Sequence, residues 1–318
     1  MSCSSPLGHT VFPGWRANDT LPHLDSVPRD GFFHALDEYW AFSSPTKSTG
    51  VVVSFDVDRE MKGFAATGAW ICHTGKTRKM NEDACLFGGV FGGASTSAPM
   101  KVALKKPMWV VALADGIGGH KAGAYASREV LAGLDRTEEF TTAAIDGILQ
   151  ETNRKLHEVG REKPEFQGTG TAVVGLVSGP AGLFGFNIGD ARLYRQEGGR
   201  LTQISRDDSV EQLLIHEGLL EASDGVRSHY MHALTQSVGG SDEYHHLDPH
   251  FYPLSVKGSA RFILCTDGLT DMISEKVIES YIIPQLNPVA AIQSLFSAAM
   301  EAGGRDNITI AIIDVENA

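Results

Sequence analysis

At 318 residues, with 42% hydrophobic and 21% charged residues, the chain can bury a sizeable core and has the balance of a globular protein. Its formal charge of −12 argues against a nucleic-acid partner, because phosphate backbones demand clustered Lys and Arg. The densest basic stretch, Lys76–Lys79, runs straight into Glu82 and Asp83. No apolar run approaches the roughly 18 residues of a membrane helix, and Pro6, Gly8, His9 and Pro13 interrupt the start where a signal peptide needs continuous apolar residues. Cys3, Cys72, Cys85 and Cys265 have no CxxC spacing, so neither zinc nor a disulfide framework is expected, and a reducing, cytoplasmic setting fits best.

Residues 1–62 differ from the rest, holding five of the thirteen prolines and little periodicity beyond an aromatic patch at Phe32–Phe42 and an alternating Val51–Val57. They are expected to form an extension to a main domain spanning 63–318. From Phe64 the pattern sharpens: Ala65–Cys72 and Ala84–Phe91 predict strands around a polar loop, and Met108–Ala114 a strand buried on both faces. Helices are predicted over Ala122–Leu134 and Thr141–Val159, the second with Ile145, Ile148, Leu149, Leu156 and Val159 at helical spacing. A strand-rich block follows over Thr171–Val177, Leu183–Ile188, Ala191–Arg195 and Leu201–Ile204, punctuated by Gly179-Pro180, Gly189-Asp190 and Gly198-Gly199. Arg206–His232 is polar and irregular, with a short helix at Val210–Ile215. The remainder reads as a strand at Arg261–Cys265, helices at Glu275–Ile283 and Val289–Ala302, and a closing strand at Ile308–Val315. Strands in runs with paired helices between them predict an α+β fold with antiparallel sheets.

Three aspartates share one context, a hydrophobic strand beside an Asp followed by Gly or Asn: Asp115-Gly116, Asp267-Gly268 and Asp306-Asn307. Singly, each is an ordinary turn signal. Together, at the ends of the most buried strands, they would bring carboxylates to one rim. Such carboxylates cannot all stay ionised without cations, and oxygen-only ligands select magnesium or manganese over zinc. Glycine after Asp115 leaves its own carbonyl open to a metal, and two adjacent ions can activate a water toward phosphorus. The loop Gly75–Asp83 adds Arg78, suited to clamp phosphate, with Glu82 and Asp83 placed to orient water. Read alone, that loop is equally a solvated segment with an ion pair.

The chain resembles the metal-dependent protein phosphatase family of type 2C, particularly its bacterial members. The motifs stand in order: GKTRKMNEDA (75–84), ALADGIGGHKAG (112–123), GTGTAV (168–173), FNIGDARLY (186–194), LTQISRD (201–207), LTQSVG (234–239), ILCTDGLTD (263–271) and GGRDNI (303–308). The resemblance implies a four-layer α-β-β-α sandwich: two central antiparallel sheets flanked by pairs of helices, a metal cleft at one end and a flap near 206–232. It implies hydrolysis of phosphoserine and phosphothreonine at a binuclear Mn2+ or Mg2+ centre, on proteins that a serine/threonine kinase has modified. Asp115 would bridge two ions, with Asp267 and Asp306 completing one site. The Gly116 carbonyl would serve the other, with Glu82 or Asp83 contributing. Asp190 matches the ligand of a weaker third ion, shared with Asp267, and Arg78 the phosphate-binding arginine.

Two positions depart from the family pattern. Ile117 stands where eukaryotic relatives carry a histidine thought to protonate the leaving group. His120 is an alternative acid, or else a helix cap or a solvent-facing residue. Asp208 stands where bacterial relatives often carry His. Other patterns lead nowhere: Trp70 replaces the glycine a P-loop ending at Gly75-Lys76-Thr77 needs, Lys121 interrupts a dinucleotide fingerprint, and His245, His246 and His250 near Asp248 read as a polar surface loop. A non-catalytic scaffold should have lost metal aspartates that this chain retains. A hydrolase of small phosphate esters or diesters would use the same centre.

Overall fold

A computed structural model of the protein describes residues 63–118, 121–220, 232–283 and 287–317. The expected extension 1–62, His120 and the middle of the expected flap lie outside the described residues. Among the described residues the strands are β1 (Phe64–His73), β2 (Ala84–Phe87), β3 (Val90–Gly92), β4 (Met100–Leu104), β5 (Trp109–Ile117), β6 (Gly170–Gly179), β7 (Gly182–Ile188), β8 (Arg192–Glu197), β9 (Arg200–Gln203), β10 (Val238–Gly239), β11 (His250–Leu254), β12 (Ser259–Cys265) and β13 (Ile308–Asn317). The helices are α1 (Lys121–Asp135), α2 (Thr142–Glu162), α3 (Val210–His216), α4 (Asp267–Thr270), α5 (Glu275–Ile282) and α6 (Pro288–Glu301).

One sheet runs β4-β1-β13-β12-β8-β9 and the other β11-β7-β6-β5-β2-β3, with β10 added beside β6. Every strand pair is antiparallel. Side chains alternate between faces along a strand, and that alternation sorts the core into three layers. Val111 and Leu113 of β5, Cys85 and Phe87 of β2, Phe262 and Leu264 of β12, and Ala311 and Ile313 of β13 meet between the sheets. There Trp70 stacks on Phe87, ring centroids 5.1 Å apart. The opposite row, Val110, Ala112 and Ala114, packs outward with Val130, Leu131 and Leu134 of α1 and Ile145 and Leu149 of α2. Ile308, Ile310 and Ile312 face outward from the other sheet, onto Ile278 of α5 and Ile292 and Leu295 of α6. The result is the α-β-β-α sandwich.

Three local departures have physical causes. The single strand expected over Ala84–Phe91 is a hairpin, because Gly88 and Gly89 both take positive φ, 55° and 97°, and turn the chain in two residues. Strand β4 carries an edge, with only Leu104 buried, so it lacks the apolar run that marks an inner strand. Strand β11 contains Pro253 and also lies at an edge, where a missing N–H costs no ladder bond.

The inter-sheet layer predicts its own weight. Leu113 is fully buried between the sheets, and Leu113→Ala should lower the unfolding free energy by about 2–5 kcal/mol in a urea titration.

Candidate active site

The inward-facing rows turn polar at one end of the sandwich. Extending the alternation by one step beyond Cys85, Leu113, Leu264 and Ala311 brings Asp83, Asp115, Thr266 and Thr309 between the sheets. Thr309 and Thr266, from the second sheet, donate hydroxyl hydrogen bonds of 2.6 Å and 2.9 Å to the same oxygen, Oδ2, of Asp83. Asp83 is itself 2% exposed, and its Oδ1 has no hydrogen-bond partner. Beside it, Asp115 and Asp267 stand within hydrogen-bonding reach of each other. Asp267 Oδ1 is likewise buried without a partner.

The electrostatics tie the set together. Burial, then the charges of Asp83, Asp267 and Asp190, hold the Asp115 carboxyl well above the usual carboxylate range. Asp267 is pushed up to about 7 by burial and then by the charges of Asp306 and Asp271. Asp190 is raised by burial and by Asp267 and Asp207, and Asp83 by burial above all. Asp267 is thus the hub whose charge acts on Asp83, Asp115 and Asp190. Asp306 is drawn outward by Arg78, whose Nη2 donates to Asp306 Oδ2 at 2.6 Å from the solvent-facing rim.

Glu82 faces elsewhere. Its carboxylate lies against Gly123 in the first turn of α1, where a side chain would collide with Glu82 Oε2 and crowd the Gly116 carbonyl, 2.9 Å from where its Cβ would stand. The missing side chain leaves a cradle of two oxygens. Gly268 is needed for a similar reason, since any Cβ there would run into the Asn307 carbonyl.

Asn307 organises the loop that carries Arg78, Glu82 and Asp83. Its Oδ1 accepts from the Glu82 N–H at 2.8 Å, while Nδ2 donates to the carbonyls of Thr74 and Met80, both at 3.0 Å. One buried amide therefore fixes the loop beside Asp306. Thr171 does similar work across the sheet, donating to the Asp115 carbonyl at 2.7 Å.

Among the described residues no three His, Cys, Asp or Glu side chains converge on a single point at ligand distance. Asp306 acts on Asp267 through its charge, and Asp267 in turn on Asp115. The donor set fits hard divalent cations, because it is all oxygen and two of the oxygens are buried and bare.

A family model for protein phosphatase 2C matches residues 100–301. The chain belongs to the protein phosphatase 2C family. It is 32% identical over 216 residues to the serine/threonine protein phosphatase PstP of Mycobacterium tuberculosis, a match covering 65% of this chain and 40% of PstP. It is 29% identical over 216 residues to the protein phosphatase PhpP of Streptococcus pneumoniae, covering 65% of this chain and 85% of PhpP. The crystal structure of M. tuberculosis PstP superposes with a TM-score of 0.64 at 27% identity, over 80% of this chain and 99% of that one. The PstP catalytic domain in complex with two manganese ions superposes with a TM-score of 0.62 at 26% identity, over 79% of this chain and 99% of that one.

The structure also corrects the reading of one histidine. His245 and His246 are exposed as expected, but His250 opens β11 and bonds Asp208 at 2.8 Å. The functional residues that sequence reasoning passed over, Gly123, Asn307, Thr171, Thr266 and Thr309, act through backbone proximity and hydrogen bonds. Gly123, Thr171, Thr266 and Asn307 lie inside the quoted motifs, but no local pattern gave them a role.

The raised carboxylates predict an inverted pH dependence. An acid whose folded pKa exceeds its unfolded value contributes stability below the unfolded pKa, and that contribution is lost as pH rises through the folded pKa. For Asp267 the loss spans roughly pH 4 to 7. In chelator at pH 7.5, Asp267→Asn should therefore melt above wild type, and the gap should close near pH 4 in thermal scans. Saturating manganese should reverse the order at pH 7.5.

Proposed function

We propose that this domain hydrolyses phosphoserine and phosphothreonine in proteins at a binuclear Mn2+ or Mg2+ centre. The observation that carries the reading is the carboxylate cluster around Asp267, with two bare buried oxygens and Arg78 at its rim. Family membership and the phosphatase names of PstP and PhpP support it. The chain spans 40% of the length of PstP, so the reading concerns the catalytic domain.

In this reading Asp115 would be shared between two ions, one of which Asp267 and Asp306 would also hold. The Gly116 carbonyl would serve the other, with Glu82 or Asp83 contributing directly or through water, and Asp190 would hold a third with Asp267. Bound divalent ions supply an activated water as nucleophile and neutralise phosphate charge. Arg78 exchanges its contact with Asp306 for two phosphate oxygens, fixing phosphorus in line with the attacking water. Thr266 and Thr309 hold one oxygen of Asp83 and leave the other bare, and Asn307 keeps the Arg78 loop in register with Asp306. As the water oxygen bonds to phosphorus, the bond to the seryl or threonyl oxygen would break and that oxygen would leave with a proton from the water, so that no phosphoenzyme would form.

The substrates are phosphorylated proteins, targets of a serine/threonine kinase in the same signalling pathway. The excess negative charge disfavours nucleic acid as a partner. Among the described residues no helix is long and apolar enough to cross a membrane. Cys72, Cys85 and Cys265 are free thiols, which supports a reducing, cytoplasmic setting.

The test is turnover of a phosphothreonine peptide and of a chromogenic phosphate ester, with manganese and with chelator. Wild type should require the metal, and Asp115→Asn should fall to background. Arg78→Ala should lose about 10²-fold in kcat/KM while retaining metal binding. Undiminished turnover in chelator, or in Asp115→Asn, would remove the reading.

A further inference from the structure

The turn that presents Asp190 is gripped by a second carboxylate that the proposed chemistry leaves unused. Asp208 Oδ2 accepts the Gly189 N–H at 2.9 Å and Gln236 Nε2 at 3.1 Å, while Oδ1 faces His250 Nε2 at 2.8 Å. The Asp208 N–H donates in return to the Gly189 carbonyl at 2.9 Å. Both backbone groups of the residue before Asp190 are therefore held by one residue.

The grip is rigid because its own partners are fixed. Gln236 is locked by the Asp248 N–H at 2.6 Å and the Asp248 carbonyl at 3.2 Å. Asn187 Nδ2 donates to the Gly189 carbonyl at 3.2 Å, and Asn187 Oδ1 accepts from the Tyr252 hydroxyl at 2.8 Å. Gly189 takes φ 90° and packs so tightly on Ala172 that a side chain there would crowd its Cα at 3.0 Å. Ala172 is the register partner of Asp115. The clamp thus fixes the Asp190 turn against the strand that carries Asp115.

We propose that Asp208, backed by His250, is a positioning residue that sets the Asp190 carboxylate for a third divalent cation shared with Asp267. This rests on the reading of Asp190 as a ligand. Asp208 touches none of Asp83, Asp115, Asp267 and Asp306 among its hydrogen bonds, so the first two ions should not depend on it. An outer residue that orients a ligand typically contributes 10–100-fold in metal affinity. Asparagine should substitute well: one amide oxygen can accept both Gly189 and Gln236, and the amide nitrogen can donate to a neutral His250.

Calorimetric titration of the full chain with manganese separates the sites by affinity. In Asp208→Ala the weakest ion should bind about 10–100-fold less tightly, with the two tighter ions unchanged. Asp208→Asn should restore most of the loss. In an Asp190→Ala background, Asp208→Ala should have no further effect on binding. If Asp208→Ala fails a thermal-melt check of folding, His250→Ala carries the same test, with a loss confined to the weakest ion. The proposal is overturned if wild type binds only two ions, if all ions weaken alike, or if the third is unaffected. Wild type that takes up no manganese would overturn the binuclear reading as well.

Discussion

Mutual repulsion among carboxylates is the constraint around which this structure is arranged. Asp83, Asp115, Asp190, Asp267 and Asp306 meet at one end of a sandwich whose remaining inter-sheet layer is apolar. Burial there disfavours charge, and each carboxylate worsens the position of its neighbours. A fold would not gather such groups for stability. Protons or cations must balance them, and an all-oxygen set with bare buried oxygens suits hard metal ions.

The surrounding residues hold that unfavourable assembly in place. Thr266 and Thr309 bind Asp83 from the opposite sheet, so the two halves of the sandwich are tied at the site itself. Gly116, Gly123 and Gly268 let backbones approach where any side chain would intrude. Asn307, with three hydrogen bonds from one amide, fastens the Arg78 loop to the strand that follows Asp306. Losing such a buried amide leaves its partners unsatisfied, at about 1–3 kcal/mol each. The site and the fold are stabilised by the same contacts.

Much of this was legible from residues alone. The unbroken run before Asp115 marked a strand covered on both faces, and β5 lies between β6 and β2 as that implies. The apolar runs of β12 and β13 likewise placed Asp267 and Asp306 at the ends of buried strands. What escaped had weaker signals. A two-glycine turn inside an apolar stretch read as continuous strand, and edge strands β4 and β11 lacked the pattern that burial on two faces creates. Asp208 registered only as a departure from relatives, and His250 as a surface residue. Their pairing joins positions 42 apart in sequence, and no local pattern encodes such a contact. The same holds for Asn307, whose partners lie more than 200 residues earlier.

The carboxylate cluster can be examined without any assay of turnover. Crystals grown with manganese and measured at its absorption edge would show where the ions sit. Two strong anomalous peaks flanking the Asp115 carboxylate, one of them between Asp267 and Asp306, are the expected result. A map with no peak within bonding distance of Asp115 and Asp267 would contradict the account.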